Sequence, residues 1–371
     1  MLLGFKTELK LNNKQRTLMA QHAGCARHAW NVGLALTKAV LDYNQEHPED
    51  KQKFPTAIDL HKWLVAVVKP QFPWYYEVSK CAGQNALRNL SQAWDRCFKN
   101  VSKPPKFKKK GRHDSFTLDG TIKVVDHFKI QLPRIGVVKT YERLPHGFKP
   151  KSVTISRQAD RWFISWKIEV NIEPTPKTTE VVGVDLGVKN LATLSTGEVV
   201  EGAKAYRRLE SKLRRLQWLN RNKQVGSANW RKTQIKIARL HRRIANIRRD
   251  TLHKLTTYLA KNHGMVVIED LNVSGMLANH KLAKAVQDMG FYEFRRQLDY
   301  KTELYGSELL VADRWFASSK TCSSCGTKKD ALTLSERTYC CSNCGLTLDR
   351  DLNAALNLAA LAGSSPVSAC G

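Results

Sequence analysis

Two stretches of this chain carry a carboxylate where a buried strand has no ordinary use for one. Val181-Val182-Gly183-Val184-Asp185-Leu186 and Met265-Val266-Val267-Ile268-Glu269 are near-continuous apolar runs, the pattern of strands covered on both faces. An ionised acid in such a setting is costly unless something compensates its charge. One such acid ordinarily takes backbone donors or pairs with an arginine. Two of them on strands that lie side by side point instead to a divalent cation at one sheet edge. These runs therefore fix the centre of any fold the chain can adopt.

A third acid comes from Thr347-Leu348-Asp349-Arg350-Asp351-Leu352-Asn353-Ala354-Ala355. Asp349 and Asp351 both stand at the start of an apolar helix, where one of them can serve as N-cap. Asp351 directly precedes the helix that would dock on the sheet, so it is taken as the third metal ligand. Three hard oxygen donors suit Mg²⁺ or Mn²⁺. A pair of such ions about 4 Å apart can serve in-line hydrolysis of a phosphodiester. The order strand, hairpin, helices, strand, helix, with these acids, fits an RNase H-like domain and predicts a metal nuclease.

Charge narrows the substrate. The chain has 61 Lys and Arg against 33 Asp and Glu, a formal net charge of +28 over 371 residues. That excess repels itself unless a polyanion neutralises it, which makes nucleic acid the expected partner. No apolar run approaches the roughly 20 residues of a membrane span. The opening Met1-Leu2-Leu3-Gly4-Phe5-Lys6 turns polar too soon for a secretory signal. An intracellular, cytoplasmic protein is expected.

Cys322-Ser323-Ser324-Cys325-Gly326 and Cys341-Ser342-Asn343-Cys344-Gly345 are two CxxC knuckles with fifteen residues between the pairs. Four thiolates with no open position describe one structural Zn²⁺ site. Cys340 adjoins Cys341, but only Cys341 has the two-residue spacing to Cys344. Clustering of five of the nine cysteines suits a metal site in a reducing compartment better than disulfides.

Upstream, Leu3 to Lys10 alternates as a half-buried strand, and a helical pattern holds from about Asn13 to Lys99, broken near His47 to Asp50 and Pro70 to Pro73. Trp30, Trp63, Trp74 and Trp94 in this stretch are read as packing between helices. Short strands follow at Ser115 to Leu118, Phe128 to Leu132 and Gly136 to Thr140. A hairpin then pairs Val153 to Ser156 with Trp162 to Val170. The pattern predicts a β-barrel carrying an inserted helical module, with Pro174-Thr175-Pro176 as linker to the second domain. There, a tight hairpin turns at Thr196-Gly197 and two long basic helices cover about Ala203 to Arg221 and Ser227 to Lys261. Arg207, Arg208, Arg214, Arg242 and Arg243 on those helices, with few interleaved acids, are candidate nucleic-acid contacts. So are Lys106, Lys108 and Lys109, which bracket Phe107 after two prolines.

On these residues the chain resembles the TnpB proteins of insertion sequences, relatives of type V CRISPR effectors. The matching segments are Gly183-Val184-Asp185-Leu186-Gly187, Ile268-Glu269-Asp270-Leu271, Ala317-Ser318-Ser319-Lys320-Thr321-Cys322 and Asp349 to Ala355. Lys106-Phe107-Lys108, Asp114-Ser115-Phe116 and Gln84 to Leu90 join them, so the likeness spans nearly the whole chain. It implies a wedge β-barrel (1–11 and 101–177), a helical recognition module (12–100), a RuvC nuclease domain (178–317 and 347–363) and a zinc ribbon (318–346); the tail (364–371), where the chain departs from many relatives, is expected to be disordered. It also implies a guide RNA from the transposon end, double-stranded DNA as target next to a short adjacent motif, and two-metal cleavage in a nucleoid-associated prokaryotic protein. Lys80 and Gln84, four apart on one helix, are the implied readers of that motif. A nuclease-inactive guided repressor and a conventional RNase H-like transposase are the rival readings. A monomer is expected.

Overall fold

The computed structural model describes residues 2–364 apart from 146, 148, 149, 334 and 335. The chain forms two compact units, Met1–Val170 and Asn171–Gly371.

In the first unit, strand β1 (Leu2–Lys10) leads into α1 (Asn13–Glu46), a single 34-residue helix. Asn12 caps it, its side chain accepting from Gln15 N while the Gln15 side chain reaches back to Asn12 N. α2 (Ala57–Trp63) continues through one π-helical stretch, Leu64–Val68, into the short α3 (Lys69–Gln71). A 3₁₀ turn then precedes α4 (Lys80–Phe98). Six strands follow: β2 (Ser115–Asp119), β3 (Lys123–Asp126), β4 (Lys129–Leu132), β5 (Gly136–Thr140), β6 (Ser152–Gln158) and β7 (Arg161–Glu169). They join β1 in one antiparallel sheet of order β2-β6-β7-β1-β5-β4-β3.

β1 is the hinge of this sheet. Its residues Leu2–Glu8 pair with β7, and Leu9–Lys10 pair with β5. Among the described residues the ladder runs from β2 to β3 without closing on itself. Helices and strands share one apolar core, from Met19, Leu34 and Leu87 through to Leu118, Ile155 and Ile164. Asn85 on α4 also donates to Asp119 on β2 at 2.7 Å. Trp30 and Trp94 are buried in that core, Trp63 is half-buried, and Trp74 stays exposed.

The second unit is built on a five-stranded sheet, order β10-β9-β8-β11-β12. Its strands are β8 (Thr179–Leu186), β9 (Ala192–Leu194), β10 (Val199–Val200), β11 (His263–Glu269) and β12 (Glu308–Ala312). β8, β11 and β12 are parallel, while the β9–β10 hairpin turns at Gly197, whose φ of +89° a side chain would resist. The crossover from β10 to β11 is a helical pair, α5 (Ala205–Arg221) and α6 (Ala228–Asn262), packed through Leu213, Leu240 and Ile244. Asp288 caps α5 from outside its own segment, accepting from Tyr206 N and Arg207 N.

Between β11 and β12 stand α7 (Val273–Ala278), α8 (Ala283–Met289) and α9 (Phe291–Tyr305), a stretch for which the sequence pattern gave no elements. Strands β13 (Thr338–Cys340) and β14 (Thr347–Asp349) make a small hairpin, and α10 (Arg350–Ser364) closes the description. Residue 364 thus belongs to α10, and the remainder of the expected tail lies outside the described residues. The proline segment expected as linker lies just past the boundary between the two units and is held within the second. Thr175 donates to the carbonyls of Tyr305 and Lys261, and the Lys177 ammonium gathers the Ala260 and Tyr305 carbonyls and the Ser307 hydroxyl.

Candidate metal centre and its surroundings

β8 and β11 run parallel with Ile268 opposite Val184, so Glu269 emerges one residue further on, beside Asp185. α10 lies across the same sheet and brings Asp351 to that edge. The three carboxylates feel one another. Burial pushes Asp185 up to about 8, and Glu269 and Asp351 push in the same direction while Arg350 opposes them. Burial is the larger cause and the two neighbouring acids add to it, a combination of penalties that a bound divalent ion would relieve.

Each acid is tethered differently. Ser318 Oγ donates to Glu269 Oε1. Asp351 faces the guanidinium of Arg350 at 3.3 Å and that of Arg337 at 4.0 Å. Among the described residues no side-chain hydrogen bond reaches Asp185. The ambiguity at the helix start is resolved by geometry. Asp349 is the cap, accepting from Asp351 N at 2.9 Å and Leu352 N at 3.1 Å, which leaves the Asp351 carboxylate for other work. The three acids are not drawn together as tightly as the cysteines described below, whose sulfurs all lie within 4.8 Å of one another.

Next to Glu269 a cleft of about 350 Å³ is lined by Leu271, Asn272, Tyr292, Arg295, Arg296 and Arg314, among others. Asp270 holds Arg295 at 2.5 Å and Arg314 at 2.7 Å, and those bonds keep its carboxyl below the usual range. Sequence reading missed these arginines, because α9 and the segment after β12 carry no motif that marks them.

The cysteine ribbon is symmetric. Cys322, Cys325, Cys341 and Cys344 converge, with Cys322–Cys344 and Cys325–Cys341 sulfurs each 3.6 Å apart. Each knuckle folds alike: Gly326 N donates to Cys322 O and Gly345 N to Cys341 O, with φ of +74° and +70° at the two glycines. Hydrogen bonding from Thr327 draws the Cys325 thiol down to about 5, which favours the thiolate that a metal takes. Buried Tyr339 packs beneath the sulfurs. Four sulfurs and no oxygen donor fit Zn²⁺. Cys340 is exposed and stands outside the cluster.

The basic candidates separate into groups. Lys80, Lys106, Lys109, Arg207, Arg208 and Arg243 are exposed, and Gln84 is half-buried on α4. Lys108 is half-buried, its ammonium 3.8 Å from the centre of the Trp30 ring and its backbone held by Asn31. Arg214 pairs with Glu210 at 2.7 Å, four residues back, so the expected lack of such pairs on these helices does not hold there. Arg242 is half-buried on α6.

The family model described as "Probable transposase", of the OrfB type from IS605, matches residues 163–280. A Cas12f1-like TNB domain matches 291–358, and a helix-turn-helix domain matches 1–45. Residues 1–45 here hold one strand and one unbroken helix rather than two helices and a turn. A Streptomyces pristinaespiralis protein, provisionally named an RNA-guided DNA endonuclease, is 37% identical over 99% of this chain and 90% of its own length. Escherichia coli InsQ, named in the same provisional way, is 34% identical over the whole of this chain and 94% of its own. A cryo-EM structure of a Cas12f1–sgRNA–target DNA complex aligns over 97% of this chain and 99% of its own, at 14% identity and TM-score 0.36, too loose a likeness to carry inference.

Fold and site together define a mixed α/β protein with a carboxylate cluster at the edge of a parallel strand pair and a four-cysteine ribbon. The chain belongs to the TnpB family.

Proposed function

We propose that this protein is an RNA-guided endonuclease that cuts double-stranded DNA by divalent-metal-dependent phosphodiester hydrolysis. The observation that carries this reading is the raised Asp185 carboxyl, faced by Glu269 and Asp351 at the end of two parallel strands. Asp185, Glu269 and Asp351 would hold two Mg²⁺ or Mn²⁺ ions. Such ions supply an activated water and charge neutralisation at the leaving oxygen. Asp351 keeps its orientation through Arg350 and Arg337. The ribbon at Cys322, Cys325, Cys341 and Cys344 takes one structural Zn²⁺.

On this reading the second unit is a RuvC domain interrupted by the ribbon, and the first is a wedge sheet bearing a recognition module on α1 to α4. The guide is an RNA from the transposon end, bound through exposed Arg207, Arg208 and Arg243 and through Lys106 and Lys109. Base pairing to that guide selects the target, while protein contacts follow the heteroduplex backbone. Lys80 and Gln84 read the adjacent motif.

The test is to express the protein with its downstream DNA and challenge it with plasmids carrying a guide-matched site beside randomised flanks, with Asp185→Ala in parallel. Depletion of one flank class in the wild type alone is the expected result. Occupancy of one flank without cutting would replace the nuclease with a guided repressor, and strand-transfer products would replace it with a transposase.

A further inference from the structure

We infer that Ser318 is a positioning residue for Glu269, and that residues 317–323 form a strap tying the cysteine ribbon to the carboxylate cluster. The inference rests on the metal-site reading above and goes beyond it. Glu269 ends a strand and has three side-chain torsions to settle. Its Oε1 accepts from the Ser318 hydroxyl, a donor only 3% exposed and so withdrawn from bulk water. A carboxylate with one oxygen occupied in this way presents the other in a single direction, as outer hydrogen bonds do for metal ligands in general.

Ser318 is itself held from the helix that carries Asp351. Asn357 Nδ2 donates to Ser318 O and to Thr321 O, both at 2.7 Å, and Asn353 Nδ2 donates to Thr321 O at 2.7 Å. Asn353 also accepts from Ser323 N at 3.0 Å through its side-chain oxygen, so its two ends grip the chain on either side of Cys322. Asn353 and Asn357 are four apart and share one face of α10. Both are buried, which makes an amide that bonds nothing there expensive and this arrangement specific. The same strap therefore ends at one side in Ser318 on Glu269 and at the other in Cys322 of the ribbon. A metal held by Cys322 would steady one end of the strap whose other end, Ser318, holds Glu269.

The experiment uses the full chain with zinc bound and Mn²⁺ as probe, followed by titration calorimetry, with Asp185→Ala as the blank. Ser318→Ala is expected to weaken the Asp185-dependent Mn²⁺ binding about tenfold, the scale of an outer-shell loss. Zinc content and melting temperature stay at wild-type values, and Ser318→Thr, which keeps the hydroxyl, recovers part of the affinity. Asn357→Ala weakens Mn²⁺ binding in the same direction, and the double variant with Ser318→Ala is no weaker than the poorer single one. Equal Mn²⁺ affinity in wild type and Ser318→Ala overturns the positioning role while leaving the metal site standing. Absence of Asp185-dependent binding in the wild type brings down the metal site, and this inference with it. Additive losses in the double variant overturn the strap.

Discussion

The carbonyl of Ala355 occupies the space that a side chain at Gly183 would need: a Cβ there would lie 2.0 Å from Ala355 O and 2.6 Å from Ala359 N. The helix bearing Asp351 thus rests directly on the backbone of the strand bearing Asp185. Gly183→Ala must push α10 outward, and overpacking of this kind costs about 1–3 kcal/mol or more. Thermal melts should show a clear drop for Gly183→Ala. Gly4→Ala, at a position with nothing within 4 Å, should melt as wild type. Equal melting of the two variants would mean the close packing is not required.

Asp185 gives a pH dependence of defined sign. Its folded-state value of about 8 lies well above that of an unfolded aspartate, so its contribution to stability is fully present below about pH 4 and is lost as pH rises towards 8. Asp185→Asn should therefore stabilise the metal-free protein by an amount that grows across that window, on the order of a few kcal/mol, and then levels off. Denaturant titrations at pH 5, 7 and 9 measure it. A stability gain that stayed flat with pH would remove Asp185 from the buried cluster.

At the start of α10 the two aspartates should part company. Asp349→Ala removes a cap worth about 1 kcal/mol and lowers the melting temperature. Asp351→Asn should leave the melt nearly unchanged and abolish cleavage. The reverse pattern would exchange their roles.

Zinc content separates the cysteines. Cys325→Ser should lose the bound metal and solubility, whereas Cys340→Ser should retain one zinc per chain by elemental analysis. Full zinc in Cys325→Ser would refute the ribbon.

Lys108 and Arg207 should likewise differ. Lys108→Ala, which uncovers Trp30, should cost stability more than RNA affinity. Arg207→Ala should lower RNA affinity and reduce its salt dependence by nearly one counterion. Binding isotherms at several salt concentrations distinguish the two.

Much of this architecture was legible because its signals are local. Period and punctuation gave β1, α1, the β6–β7 and β9–β10 hairpins, the α5–α6 pair and the two acid-bearing strands. The cysteine spacing chose Cys341 over Cys340. What escaped depends on partners distant in sequence. Ser318 is one serine among several until β11 and α10 bring Glu269 and Asn357 against it. Arg295 and Arg314 come together only on Asp270. β12 is a short apolar strand whose identity depends on lying beside β11, and β3 is a four-residue edge strand with one partner. Lys108 looked like its neighbours until Trp30 was folded beneath it. At the expected linker, Thr175 and Lys177 find carbonyl partners at the ends of α6 and α9, distant in sequence.

The order of segments around the sheet also bears on synthesis. β8 and β11 both precede α10 in the chain, so the strands that carry Asp185 and Glu269 are synthesised before the helix that covers Gly183. The carboxylate set therefore draws on both ends of the second unit and is complete only once Asp351, carried by the last described helix, has been made.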